Sequence, residues 1–157
     1  MTVIAFKDGV MAADTQLTGF NQRTRAQKLI RMPDGGVAGG CGDWTQAYAG
    51  LKFLAEGGNE ESDKLPNLKG ATILIAKPDG SLWLIENEFP AFPLLDKHAA
   101  VGCGVDAAMM AMSYGASAIE ACQRVTKQDV LCGDPVQSME VEPTHEYSAA
   151  KTHGKRK

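Results

Sequence analysis

The sequence predicts an α+β fold, strand-rich in its first half and closing with a helix pair and a last strand, on three observations. Three Asp-Gly dipeptides, Asp8-Gly9, Asp34-Gly35 and Asp79-Gly80, each separate two runs rich in β-branched or large apolar residues. One segment between the second and third repeats its apolar residues at helical spacing, and two more do so on either side of Gly115. Runs of strands interrupted by helices fit two sheets covered on their outer faces by helices, a pattern shared with other α+β layerings.

Asp-Gly tolerates the positive φ angles of a tight hairpin, so each dipeptide marks one. The first joins Thr2 to Phe6 with Val10 to Ala13. The second joins Lys28 to Met32 with Gly36 to Cys41, Pro33 pre-setting the turn. The third joins Thr72 to Lys77 with Ser81 to Ile85, again behind a proline, Pro78. Asp43 is placed to cap a helix whose face carries Trp44, Ala47, Tyr48, Leu51 and Leu54, ending near Gly57-Gly58. Asn59 to Lys69 reads as an exposed polar loop prone to disorder, and Phe89 to Leu95, with two prolines, as irregular chain. A short strand is expected at Ala99 to Gly102. Val105, Ala108, Met109 and Met112 then share one helical face as core packing. Ser117 and Glu120 form a capping box ahead of Ile119, Cys122 and Val125. A last strand falls near Val136 to Val141. Residues 1–142 therefore read as one domain, and 143–157, ending Lys155-Arg156-Lys157, as a flexible basic tail.

A chain of 157 residues, 44% hydrophobic and 22% charged, suits a single soluble domain with its own core. The net charge of −3 and the dispersed basic residues disfavour nucleic-acid binding. No apolar run approaches the roughly 18 residues of a membrane span, and no signal peptide is visible, so a cytoplasmic location is expected. Cys41, Cys103, Cys122 and Cys132 form no CxxC pair, and the three histidines are scattered. No metal site and no cofactor is expected, and each cysteine reads as a small buried hydrophobe with a free thiol.

Chemistry is suggested at the N-terminus. If Met1 is removed, Thr2 carries a nucleophilic hydroxyl and a basic α-amine on one residue, the minimum kit for amide hydrolysis without histidine. Such a nucleophile needs a group to tune the amine, a buried ion pair to fix geometry and backbone donors for the oxyanion. Asp14 ends the strand that pairs with the N-terminal strand, so the hairpin returns its carboxylate towards Thr2. Lys28 opens the next hairpin after a polar loop, where its ammonium could meet Asp14 and the threonine oxygen. Gly39 is expected where a strand gives way to a helix, exposing an N–H to a substrate carbonyl. Taken singly, Asp14 is an ordinary strand-end residue, Lys28 a surface charge and Gly39 a turn glycine; their joint order behind Thr2 is what points to a site.

The set Thr2-Val-Ile-Ala, Ala12-Ala13-Asp14, Lys28, Val37-Ala38-Gly39-x-x-Gly42 and Val101-Gly102-x-Gly104 resembles the proteasome β-subunit and HslV-type peptidases, members of the N-terminal nucleophile hydrolases. The resemblance covers residues 2–141 and implies a four-layer αββα sandwich of two antiparallel sheets flanked by helices. It implies Thr2 as nucleophile and base, Asp14 and Lys28 as the supporting pair, and Gly39 as the oxyanion glycine. Asp129, in Asp129-Val-Leu-Cys132-Gly133, would be the acid that orders the amine. It further implies polypeptide substrates, a self-assembled homo-oligomeric ring and an AAA+ ATPase unfoldase as partner, since no GxxxxGK[ST] loop is present here. Two positions depart from the pattern: Cys103 and Cys132 stand where the family usually has serine, and a thiol is the weaker hydrogen-bond partner. Should the fold bring those two thiols together, oxidation could modulate activity.

Overall fold

The structure, a computed structural model, describes residues 2–19 and 21–142. The expected basic tail, 143–157, lies outside the described residues. Eleven strands and three helices are described. The first hairpin pairs β1 (Val3–Lys7) with β2 (Val10–Ala13) through a turn with Asp8 at φ 51° and Gly9 at φ 79°. Next come β3 (Gln16–Gly19) and β4 (Gln22–Arg25), which form a two-stranded sheet of their own. The second Asp-Gly hairpin joins β5 (Leu29–Arg31) to β6 (Val37–Gly42), and α1 (Trp44–Ala55) follows, with Asp43 accepting the Gln46 N–H as N-cap. The third joins β7 (Ala71–Ala76) to β8 (Leu82–Glu86) and continues into β9 (Glu88–Leu94). The chain ends with β10 (Ala99–Gly102), α2 (Val105–Ser113), α3 (Ala118–Gln128), whose N-cap is Ser117, and β11 (Gln137–Glu140).

Every pairing is antiparallel. One sheet has the order β10-β1-β2-β11 and a second the order β5-β6-β7-β8-β9. The period of two along each strand explains how the sheets stack. In β1, Val3 and Ala5 join a core with Ala108, Met112, Ala121 and Val125 of the helix pair, whereas Ile4 and Phe6 join Leu29, Val37 and Leu74 of the second sheet. In β7, Leu74 and Ala76 face the first sheet, and Ile73 and Ile75 face Ala47, Leu51 and Leu54 of α1. A strand buried on both faces is apolar along its buried stretch, as β1 is from Val3 to Phe6 and β7 from Ile73 to Ala76.

Three expectations are corrected. Phe89 to Leu95 is not irregular: β9 occupies most of it, and its Pro90 and Pro93 are tolerated because β9 is an edge strand with one side free of ladder bonds. The polar stretch before Lys28 is not a loop but the β3–β4 hairpin, whose residues 22–25 are all exposed and so carry no apolar alternation. Asn59 to Lys69 has no strand or helix, yet Leu68 is buried within the α1 core, so the segment is anchored rather than wholly exposed. The methionine face is core in part: Met112 is buried, Met109 packs against the core and Met110 is exposed.

Candidate active site

Thr2 sits immediately before β1 and is 4% exposed. The first hairpin returns Asp14 beside it, the Asp14 N–H donating to the Val3 carbonyl at 3.2 Å. The Asp14 carboxylate is fully buried and accepts four hydrogen bonds. Oδ1 takes the Val3 N–H at 3.1 Å and the Lys28 ammonium at 2.9 Å; Oδ2 takes the Gln16 N–H at 3.2 Å and the Gly133 N–H at 3.1 Å. Four donors on one side chain suit an ionised, acceptor-only carboxylate.

Lys28, also fully buried, enters from the residue before β5. Its Nζ donates to Asp14 Oδ1 at 2.9 Å, to the Gln16 carbonyl at 2.7 Å and to Thr2 Oγ1 at 2.8 Å. An ammonium that donates to a hydroxyl oxygen stabilises negative charge on that oxygen, which is the demand of a nucleophilic threonine. Desolvating both members of an ion pair is costly, and removing one partner of such a pair costs about 3–5 kcal/mol, so this geometry is held at some expense to stability.

Gln137 of β11 braces the pair and was not visible as a site residue in the sequence. Its Oε1 accepts the Lys28 backbone N–H at 3.0 Å, and its Nε2 donates to the carbonyls of Asp14 at 2.9 Å and Ala26 at 3.1 Å. Only the register that places Gln137 opposite Ala13 brings that amide here. Cys41 is a second unforeseen neighbour: burial pushes its thiol up to about 11, partly opposed by the positive charge of Lys28.

Gly39 does not lie at the end of its strand. It is inside β6, paired with Leu29 on one side and Leu74 on the other, and a Cβ there would meet Ile4, Leu29 and Met11 in the inter-sheet core. Antiparallel N–H groups alternate in direction. Gly40 donates to the Lys28 carbonyl at 3.2 Å and Asp43 to the Gly70 carbonyl at 2.8 Å, so the Gly39 N–H points into the ladder with β7. The N–H directed to the Lys28 edge belongs to Gly40.

On the other side of Thr2 the backbone turns at Gly102, whose φ of 99° favours glycine and where a Cβ would overlap the Thr2 carbonyl oxygen. Cys103 follows, its Sγ 3.4 Å from that oxygen, 3.6 Å from Asp129 Oδ2 and 3.6 Å from Cys132 Sγ. Cys132 Sγ is 3.9 Å from the same carboxylate oxygen. The fold thus brings Cys103 to Asp129 and Cys132, more distant in sequence, against the backbone of Thr2. Cys41, Cys122 and Cys132 are buried as expected, whereas Cys103 is exposed. Burial, with Asp14 next in effect, pushes the Cys132 thiol well above its usual range.

A cavity of about 450 Å3 lined by residues including Met32, Leu54, Trp83 and Phe89 shares no residue with this site and brings no threonine, serine or cysteine to its wall.

No protein-family model matches the chain, and no curated protein matches it. Solved structures do. Thiobacillus denitrificans BPH in complex with epoxomicin superposes with a TM-score of 0.63 at 23% identity, over 90% of this chain and 99% of the other. Thiobacillus denitrificans BPH alone gives 0.59 at 21% identity, over 91% and 99%. Eukaryotic HslV from Trypanosoma brucei gives 0.62 at 19% identity, over 89% and 99%. Among the described residues no helix is long and apolar enough to cross a membrane. The mixed α/β architecture built around Thr2 is accordingly the fold of the HslV-type structures, matched along nearly the whole of each chain.

Proposed function

We propose that the chain is a threonine-type endopeptidase of the proteasome/HslV type, with Thr2 as nucleophile once Met1 is removed. The observation that carries the reading is the buried chain from Asp14 through Lys28 to Thr2 Oγ1, at 2.9 and 2.8 Å. In the mature protein Thr2 Oγ1 attacks the scissile carbonyl and its proton passes to the α-amine of the same residue; the C–N bond then breaks, the departing amine takes that proton, and an ester to Thr2 remains. Water, deprotonated by the same amine, hydrolyses the ester, releasing the acid half of the substrate and returning the proton to Thr2 Oγ1. An α-amine starts near pKa ~8, and the adjacent Lys28 ammonium disfavours a second positive charge, which favours the neutral, basic form of the amine. For the oxyanion, the N–H of the expected Gly39 points into the β7 ladder, and the neighbouring Gly40 N–H, which donates to the Lys28 carbonyl at 3.2 Å, would have to exchange that bond for the substrate oxygen. Asp129 and Cys103 order the amine from the opposite side.

The three stacked cores support a four-layer αββα sandwich for residues 1–142, with helices outside and the two sheets within. The shared fold also supports a self-assembled homo-oligomeric ring, polypeptide substrates, an AAA+ unfoldase partner and a cytoplasmic setting. A small-molecule amidohydrolase of the same nucleophile class would instead remain a monomer or dimer on sizing. A non-catalytic ring subunit is favoured by one observation, the thiols at positions 103 and 132, and is distinguished by turnover.

The test is peptide cleavage by the purified protein and by Thr2→Ala, with assembly followed by sizing. The variant should assemble and lose cleavage to background, and epoxomicin, which is bound in one of the similar structures, should block the wild-type protein. Turnover unchanged in Thr2→Ala would sink the proposal.

A further inference from the structure

We propose that Cys103, Cys132 and Asp129 form a binding site for a thiophilic divalent cation of the zinc class, set against the backbone of Thr2. The three ligand atoms Cys103 Sγ, Cys132 Sγ and Asp129 Oδ2 form a triangle with edges of 3.6, 3.6 and 3.9 Å. Tetrahedral zinc, with bonds of about 2.3 Å to sulfur and about 2.0 Å to oxygen, holds such ligand atoms roughly 3.5–3.8 Å apart. The observed triangle is thus one face of a tetrahedron before any side chain moves. Two sulfurs with one carboxylate oxygen select zinc or its spectroscopic substitute cobalt over magnesium or calcium.

The surroundings agree. Asp129 Oδ1 accepts the Leu131 N–H at 2.9 Å, which fixes the carboxylate and leaves Oδ2 turned to the sulfurs. Binding replaces two thiol protons, released to solvent, by two metal–sulfur bonds. Cys103 is exposed, and a cavity of about 360 Å3 lined in part by Gln16, Asp129, Cys132 and Gly133 opens beside the cluster, so an ion has a route in. The fourth position is left to water or to the Thr2 amine. Resting on the peptidase reading, a filled site draws on the lone pair that the reaction needs, and zinc therefore inhibits.

The spacing of the cysteines in sequence gives no hint of this site; only the meeting of the β10–α2 turn with the segment after α3 creates it.

The experiment is titration of Co2+ alone into fully reduced Thr2→Ala protein, whose lack of turnover separates binding from catalysis. A saturable thiolate-to-cobalt charge-transfer absorption at one ion per chain is expected, displaced by Zn2+ and unaffected by excess Mg2+. It should vanish in Cys103→Ser/Cys132→Ser and require about tenfold more metal in Asp129→Asn. Because Cys132 is buried, Cys103→Ser alone serves as the milder variant and should also abolish the band. No band, or a band that survives in Cys103→Ser, overturns the site. In wild-type protein, zinc should lower peptide turnover at least tenfold, reversed by a chelator, with that ratio lost in Cys103→Ser. Binding without inhibition overturns the control of turnover, and absence of turnover before metal is added overturns the peptidase reading while the cobalt result still decides the site.

Discussion

The two sides of Thr2 are built differently. On one, Asp14 and Lys28 are both fully buried and tied by charge-assisted hydrogen bonds of 2.7–3.2 Å. On the other, Cys103, Asp129 and Cys132 meet through sulfur contacts of 3.4–3.9 Å, with Cys103 open to solvent. A fixed charge pair holds the Thr2 hydroxyl, and a soft, polarizable cluster meets the Thr2 backbone carbonyl. Thr2 is therefore held by strong polar contacts at its side chain and by weaker sulfur contacts at its backbone.

The strongest way to break this contrast is to cut the rigid side. Lys28→Met leaves the Asp14 carboxylate buried without its cation, which costs about 3–5 kcal/mol and should remove turnover altogether. Denaturant unfolding and peptide assays check both. Combining it with Asp14→Asn, which removes the unpaired charge and keeps an acceptor for the backbone N–H groups that Asp14 satisfies, should recover part of the stability but none of the turnover. A double variant less stable than either single one would show that the pair is not the unit described.

Gly102→Ala probes the seam between the two sides. A Cβ at φ 99° would overlap the Thr2 carbonyl oxygen, so either β10 or Thr2 must shift. Turnover should fall at least tenfold with stability reduced by about 1–3 kcal/mol. On the soft side the expected change is smaller and of opposite sign. Cys103→Ser replaces a weak donor with a hydroxyl and should raise turnover a few-fold; a loss of tenfold or more would show that the thiol itself is required.

The smallest effect concerns pH. Burial raises the Cys41 thiol to about 11 and the Cys122 thiol to about 12, against about 8.5 in an unfolded chain. Below about pH 8.5 both states are protonated and the shifts contribute nothing to the pH dependence. Above it the unfolded chain loses protons that the folded one keeps, so stability falls as pH rises, until about 11 for Cys41 and about 12 for Cys122. Thermal melts across that window should show the decline, and thiol labelling at pH 8 should modify Cys103 first.

How much of this was legible in the sequence depended on the range of the determining interaction. The three hairpins were, since Asp-Gly fixes its turn locally, and so were both helix caps, Asp43 and Ser117. β9 was hidden because prolines argue against a strand unless it is known to be at an edge, and edges are a property of the whole sheet. The β3–β4 hairpin was hidden because its exposed residues carry no alternation. At the site, Asp14 and Lys28 could be placed from strand ends, and Asp129 and Cys103 only through resemblance to a family. Gly39 was expected at the end of its strand and lies inside β6, and because N–H direction alternates along a strand, the direction of its amide could be read only from the pairing with β5 and β7. Gln137 could not be found at all: a polar residue in a short half-exposed strand gives no sign that it reaches across to brace Lys28.

The most direct test of Thr2 as nucleophile is to measure, on preparations differing in Met1 removal, the fraction of chains beginning at Thr2 by intact-mass spectrometry against peptide turnover. Turnover should rise in proportion to that fraction and vanish when every chain keeps Met1. Cleavage by protein that retains Met1 throughout would contradict the account.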